Sequence, residues 1–116
     1  MIVITHFDAR DPRFLDRARD ALSALAKQNG FIDGQLGRAA DDPHSWALVT
    51  RWVNVGAYRR ALGAFEVKIA ATPLLADARG DVSAFETLIS ATPSELIESP
   101  SQRTDDACNS RADRED

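Results

Sequence analysis

Residues 46–53, WALVTRWV, decide the fold of this chain of 116 residues. Aromatic and β-branched residues dominate the stretch, which is typical of a β-strand. One set of alternate positions carries Trp46, Leu48, Thr50 and Trp52, and the other carries Ala47, Val49, Arg51 and Val53. Neither set is the polar face that a sheet presents to solvent, so we expect both faces of the sheet to be covered.

Strand and helix patterns alternate on both sides of this segment. We predict strands over 2–7, 31–39 and 82–89, a helix from Pro12 that Asn29-Gly30 ends, and a second helix that begins after Asn54. Residues 66–71 either continue the second helix or form a separate turn. The order strand, helix, strand, strand, helix, strand is that of ferredoxin-like βαββαβ domains, an α+β fold with a four-stranded antiparallel sheet and both helices on one face.

Helices on one face leave the other face of the sheet uncovered. Since that face is also apolar, a second copy of the chain is the simplest cover for it, and the two sheets would then enclose a shared barrel. The sequence therefore predicts a homodimer of the dimeric α/β-barrel type.

Charge is distributed unevenly along the chain. The net charge is −4, but residues 1–91 carry 11 basic and 11 acidic side chains, while residues 92–116 carry 3 and 7. We predict one domain over 1–91 and a disordered acidic tail over 92–116. Within the tail, residues 94–98 can form one helical turn. A neutral body with an acidic tail argues against a nucleic-acid partner.

Membrane and thiol chemistry are also disfavoured. The apolar runs fall far short of the roughly 20 residues that span a bilayer, so we expect no membrane partner and a cytoplasmic protein. Cys108 is the single cysteine and cannot supply a thiolate cluster for a metal.

Several short motifs stand at the turns, strands and second helix of the predicted fold. They are Asn29-Gly30-Phe31 before the second strand, Asp41-Asp42-Pro43 in the hairpin, LVTRW at 48–52, Ala57-Tyr58-Arg59 in the second helix and FETL at 85–88. With these motifs the chain resembles the antibiotic biosynthesis monooxygenase (ABM) family from Ile2 to Ile89. The resemblance implies a homodimer with a pocket between sheet and helices and, in some members, oxidation of aromatic substrates by O₂ without metal, flavin or haem. We therefore expect no cofactor and no metal.

The resemblance places catalytic work in an Asn, a Trp and a Tyr around the second helix. Asn54, Trp52 and Tyr58 occupy that neighbourhood by residue type and region. Each has a structural alternative: Asn54 as an N-cap, Trp52 as a core or interface aromatic, and Tyr58 as a buried phenol whose O–H needs a partner. Phe65 falls on the same predicted helix face as Tyr58 and is a further candidate for substrate binding.

Two polar residues of the strands complete the candidate site. His6 shares its side of the first strand with Ile2 and Ile4, and an apolar surrounding favours the neutral ring that can act as a general base. Its alternative is a hydrogen-bonded structural histidine. Arg51 either binds an anionic substrate or pairs with Glu86 across the sheet.

The catalytic candidates are thus His6, Asn54 and Tyr58, and the substrate-binding candidates are Trp52, Arg51 and Phe65. Our first hypothesis is a cofactor-independent monooxygenase that oxidises a small aromatic or polyketide-like molecule with O₂. The alternative is a non-catalytic module that binds a small ligand or assembles with a partner.

Overall fold

The computed structural model describes residues 1–80 and 83–101. Its contacts divide the chain into two units, Met1–Phe85 and Glu86–Asp116. The first unit contains, in order, β1 (Ile2–Asp8), α1 (Phe14–Ala26), β2 (Phe31–Ala39), β3 (Asp42–Trp52), α2 (Val55–Leu62), α3 (Phe65–Ala70), α4 (Thr72–Leu75) and β4 (Ala84–Phe85). The second contains β5 (Ile89–Thr92) and β6 (Glu95–Glu98).

The sheet of the first unit has the strand order β2-β3-β1-β4, with antiparallel pairing at each step. This is the α+β, ferredoxin-like arrangement that the sequence predicts. The buried side chains of β1 alternate with more exposed ones, and Val3 and Phe7 face the helices. In β3 the same face carries Leu48 and Trp52, which are 2% and 0% exposed. The open face carries the opposite set of positions.

A single glycine allows α2 to lie close to the sheet. Gly30 has a φ of +90°, a backbone conformation that favours glycine. Its carbonyl oxygen accepts a hydrogen bond from Val53 N at 2.9 Å. A side chain at position 30 would collide with the Cβ of Ala57 in the first turns of α2. The first helix ends at Ala26 with Lys27 as its C-cap, before the end at Asn29-Gly30 that the sequence predicts. Gly30 instead lies in the turn that follows the helix, where it allows the close approach of α2.

The second predicted helix is divided in the structure. α2 ends at Leu62 and is followed by Gly63 as its C-cap, after which α3 begins at Phe65 and α4 at Thr72. Glycine is a poor interior helix residue, which explains the break. Residues 66–71 thus do not continue the second helix, and the separate segment is a short helix rather than the turn that the sequence suggested.

The last predicted strand, 82–89, differs from the structure. Pairing with β1 is confined to β4, residues 84–85, and residues 89–92 instead pair with 95–98 in a two-stranded hairpin. The residue pattern of 82–89 does not reveal this change of partner, because it does not say which strand each residue pairs with. Strand β6 also lies where a helical turn was expected, near 94–98. Of the predicted tail, residues 102–116 lie outside the described part of the chain.

Candidate functional site

An open cleft lies between β1, α2 and α4 in the first unit. It has a volume of about 470 Å³ and is bordered by Thr5, Tyr58, Leu62, Thr72, Leu75, Ala76, Ala78 and Ser83. This volume is within the range of small-molecule sites, about 300–1,000 Å³. We refer to this space as the Tyr58 cleft.

The lining of the Tyr58 cleft combines hydroxyl groups with aliphatic side chains. Thr5, Tyr58, Thr72 and Ser83 supply the hydroxyls, and the bordering set contains no charged side chain. Hydroxyls can both donate and accept hydrogen bonds. The cleft is therefore suited to an uncharged ligand that has an apolar body and oxygen atoms.

Tyr58 is held in place by packing rather than by hydrogen bonding. Its ring lies 5.5 Å from the ring of Trp52, centroid to centroid, at an angle of 58°. Its hydroxyl makes no hydrogen bond with any residue of 1–80 or 83–101. Burial raises the pKa of the phenol above its ordinary value of 10.0, so the hydroxyl stays protonated and able to donate near neutral pH.

Trp52 contacts the ring of Tyr58 from the core of the domain and does not border the cleft. Its side chain is 0% exposed, its Nε1 donates to Thr50 Oγ1 at 2.9 Å, and Phe31 meets it edge-on with ring centroids 5.1 Å apart. This matches the core-aromatic alternative for Trp52. The tryptophan thus fixes the depth and orientation of the Tyr58 ring.

Asn54 is the N-cap of α2. Its Oδ1 accepts a hydrogen bond from Ala57 N at 2.8 Å, which satisfies one of the free N–H groups at the start of the helix. The capping alternative is therefore present in the structure. Asn54 stands four residues before Tyr58, and the cap fixes the turn of helix that carries the tyrosine.

His6 lies on the other face of β1 from the cleft. Its side chain is exposed, and it borders a cavity of about 380 Å³ together with Ile4, Arg79 and Phe85. This cavity adjoins the Tyr58 cleft, because Thr5, Ala78 and Ser83 border both, but His6 does not border the cleft itself. The predicted alternation with Ile2 and Ile4 is correct, but those positions belong to the face that the helices leave open. The structure therefore does not bring His6 together with Tyr58.

Arg51 also belongs to the open face, and its carboxylate partner is Asp33. Arg51 Nε donates to Asp33 Oδ1 at 2.9 Å and Nη2 donates to Oδ2 at 2.5 Å. The predicted pairing of Arg51 with Glu86 is wrong, because β2 places Asp33 directly opposite Arg51 in the register. The hydrogen bond from Arg51 lowers the pKa of Asp33, and both side chains remain about half exposed.

Phe65 lies outside the Tyr58 cleft. It is 77% exposed and borders a shallow groove formed by α1 and α3, with Lys27 and Ile69 among its neighbours. The sequence placed it with Tyr58 by counting one continuous helix. The break at Gly63 changes the direction of the chain before Phe65 and removes that relationship.

The sequence analysis missed most of the residues that border the cleft. Thr72 and Leu75 come from α4, which has no strong helical periodicity in the sequence, and Ser83 follows the turn that leads to β4. Thr5 is the polar residue between Val3 and Phe7 on one side of β1, but only the structure shows that this side is the buried one.

Membrane-spanning helices and metal-binding clusters are both absent from the described residues. Over 1–80 and 83–101, no helix has both the length and the apolar character needed to cross a bilayer. Within the same ranges, no three histidine, cysteine, aspartate or glutamate side chains come together as a set that could hold a metal ion.

Comparison with solved structures identifies proteins with the same fold. SnoaB, a cofactor-independent oxygenase from Streptomyces nogalater, superimposes with a TM-score of 0.62 at 25% identity, over 75% of this chain and 94% of that chain. A mutant of SnoaB gives the same TM-score at 26% identity, over the same shares of the two chains. A conserved protein from Methanosarcina mazei Go1 matches at 15% identity and a TM-score of 0.58, over 72% of this chain and 84% of that one. No curated protein sequence matches this chain.

The fold and the uncharged cleft define a small α+β domain of the ferredoxin-like class. The sequence profile of the family described as antibiotic biosynthesis monooxygenase matches residues 1–71. The chain therefore belongs to the ABM family, as the motifs in its sequence suggested.

Proposed function

We propose that the protein is a cofactor-independent monooxygenase that oxidises a small aromatic or polyketide-like molecule in the Tyr58 cleft with O₂. The observation that carries this proposal is the Tyr58 hydroxyl, protonated and without a partner in the described chain, at the border of an uncharged cleft. Membership in the ABM family and the likeness to SnoaB, itself a cofactor-independent oxygenase, support the reaction class.

The substrate supplies the electrons in this reaction. A ring system with an acidic CH₂ group next to a carbonyl loses a proton and becomes an electron-rich anion that can reduce O₂. One C–O bond then forms, the O–O bond breaks, and the CH₂ group becomes a carbonyl while the second oxygen leaves as water. The overall balance is R₂CH₂ + O₂ → R₂C=O + H₂O.

The role of Tyr58 in this reaction is to stabilise the anion. A phenol that donates a hydrogen bond to the substrate oxygen favours the charged form and so lowers the pKa of the substrate. Because no imidazole or carboxylate borders the cleft within the described residues, the proton passes to water at its open side. Trp52 and Asn54 act on this step by positioning Tyr58.

We also propose that the protein works as a homodimer joined through the open face of the sheet. The centre of this face carries Ile2, Ile4, Ala47 and Val49, which are partly exposed in one chain, and the Arg51–Asp33 pair lies beside them. Apolar side chains on a sheet face favour burial against a complementary surface, and a two-fold axis provides one.

A binding module without turnover is the second candidate. The observation that favours it is the neutral lining of the cleft, which offers hydroxyls but no titratable base in the described residues. Such a cleft can hold a ligand without activating it.

Turnover of anthrone under air and under nitrogen separates these two functions. For the oxygenase we expect O₂ consumption and anthraquinone formation in equal amounts, at a rate proportional to protein concentration and about 100-fold lower in Tyr58→Phe. The Lys68→Ala variant, altered at the surface of α3, is the matched control and keeps the full rate. Anthrone binding under nitrogen with no protein-dependent product under air would establish the binding module instead.

A further inference from the structure

Thr5 stands out because its hydroxyl is buried without a hydrogen-bond partner. The residue is 7% exposed, and its neighbours on the same side of β1 are Val3 and Phe7, at 3% and 1%. No residue within the described ranges forms a hydrogen bond with its side chain. Thr50, the other buried threonine of the sheet, accepts from Trp52 Nε1 and so is satisfied.

An unpaired buried hydroxyl costs free energy, and buried polar groups in proteins generally have a partner. A valine at position 5 would fill nearly the same volume and has a higher preference for a buried strand position. Packing therefore does not account for a threonine here.

The position of Thr5 explains where a partner can come from. Thr5 borders the Tyr58 cleft, and both residues are in the set of hydroxyl-bearing side chains that surround it. β1 and α2 thus each present one hydroxyl to the same space, from the sheet side and from the helix side. A ligand in the cleft that carries two oxygen atoms can satisfy both.

We propose that Thr5 is a substrate-binding residue whose hydroxyl forms a hydrogen bond with a second oxygen of the ligand, so that the cleft binds uncharged aromatic molecules with two or more oxygens more tightly than those with one. This inference rests on the proposed function, because it assigns the ligand to the Tyr58 cleft, and it adds the class of substrate. Tyr58 contacts the oxygen conjugated with the reacting carbon, and Thr5 contacts an oxygen elsewhere on the ring system.

Binding measured under nitrogen tests Thr5 without relying on turnover. The probes are anthrone, with one oxygen, and 1,8-dihydroxyanthrone, with three. The full chain should bind 1,8-dihydroxyanthrone more tightly than anthrone. Thr5→Val should raise the Kd of 1,8-dihydroxyanthrone about tenfold and leave that of anthrone unchanged, because only the extra oxygen loses a partner. Thr5→Ser, which keeps the hydroxyl, should restore the Kd to within about threefold of the original.

The thermal midpoint of the ligand-free protein provides an independent measurement. If the Thr5 hydroxyl has no hydrogen-bond partner in the ligand-free protein, Thr5→Val leaves the thermal midpoint unchanged or raises it, since an unsatisfied polar group has been removed. A fall in the midpoint would show a structural partner and overturn the proposal. Equal Kd values for Thr5→Val and the unmodified protein, or no binding of 1,8-dihydroxyanthrone, would also overturn it. Normal binding without O₂ consumption would leave the role of Thr5 intact and contradict only the oxygenase function.

Discussion

The ring of Trp52 lies 5.5 Å from the ring of Tyr58, and this contact links the buried core of the sheet to the open cleft. Trp52 is fixed by a hydrogen bond from Nε1 to Thr50 Oγ1, so its indole cannot rotate without leaving a buried N–H unsatisfied. The orientation of the only phenol in the chain is thereby set by β3. In the proposed function, the role of Tyr58 therefore relies on its contact with Trp52.

The pH dependence of stability should reveal the burial of Tyr58. Its pKa in the folded protein is raised above 10.0, so at higher pH the unfolded chain loses this proton before the folded chain does. The contribution is complete below pH 10 and is lost as the pH rises through the folded pKa. We expect the thermal midpoint of the unmodified protein to fall more steeply between pH 9.5 and 11 than that of Tyr58→Phe, with pH 8 as the reference. Parallel curves would show that the phenol is solvated.

Asn54 offers a test that separates stability from activity. Asn54→Ala removes the acceptor for Ala57 N and should lower the free energy of unfolding by about 1 kcal/mol, measured by urea denaturation. Asn54→Asp keeps an oxygen acceptor and should restore that stability.

The same pair of variants distinguishes a cap from a catalytic amide. If Asn54 acts by capping α2, turnover by Asn54→Asp equals that of the unmodified protein. A large loss of turnover in Asn54→Asp at full stability would instead place the amide of Asn54 in contact with the substrate.

Replacement of Val49 by arginine tests the proposed dimer. Val49 lies at the centre of the open face, opposite Ile4 in the register, and a charge buried there without a partner opposes association. We expect Val49→Arg to sediment as a monomer at a concentration at which the unmodified protein is a dimer.

The control for this experiment is on the helix side of the molecule. Ile69 in α3 is 61% exposed, so Ile69→Arg adds the same charge without altering the open face and should remain dimeric. A monomeric unmodified protein at micromolar concentration, or a dimeric Val49→Arg, would contradict the proposed interface.

Truncation should separate the domain from the residues that follow it. The buried hydrophobic core extends from Val3 to Leu74, so a chain that ends at Phe85 retains all of these side chains. We expect this chain to unfold cooperatively, with a thermal midpoint within about 5 °C of the full chain, by circular dichroism. A chain that ends at Ser101 keeps the hairpin and is the control. An unfolded product on truncation at Phe85 would show that residues 86–101 are needed for the fold.

Local sequence signals predicted the parts of the fold that depend on local physics. Asn54 was recognised as an N-cap, Gly30 as a residue of left-handed conformation after the first helix, and the alternation around Trp52 as a strand with two apolar faces. Each of these features follows from neighbours within a few residues. The prediction of a strand over 82–89 was wrong, because the end of β4 depends on which strand each residue pairs with, and that depends on distant residues.

The site was harder to predict than the fold, for a geometric reason. The alternation in β1 correctly grouped His6 with Ile4, but alternation does not say which face the helices cover. The same uncertainty concealed Thr5, because the sequence does not show that its side of β1 is buried. For Phe65, the break at Gly63 changed the direction of the helix, and a count of residues cannot show that change.

The most direct test of the central claim is the fate of the two oxygen atoms of O₂. The protein is treated with a chelator, freed of small molecules and incubated with anthrone under ¹⁸O₂, and the anthraquinone is analysed by mass spectrometry. We expect one ¹⁸O atom in each anthraquinone, with no added metal, flavin or reductant. Anthraquinone that carries oxygen from water, or that forms only when a cofactor is added, would contradict it.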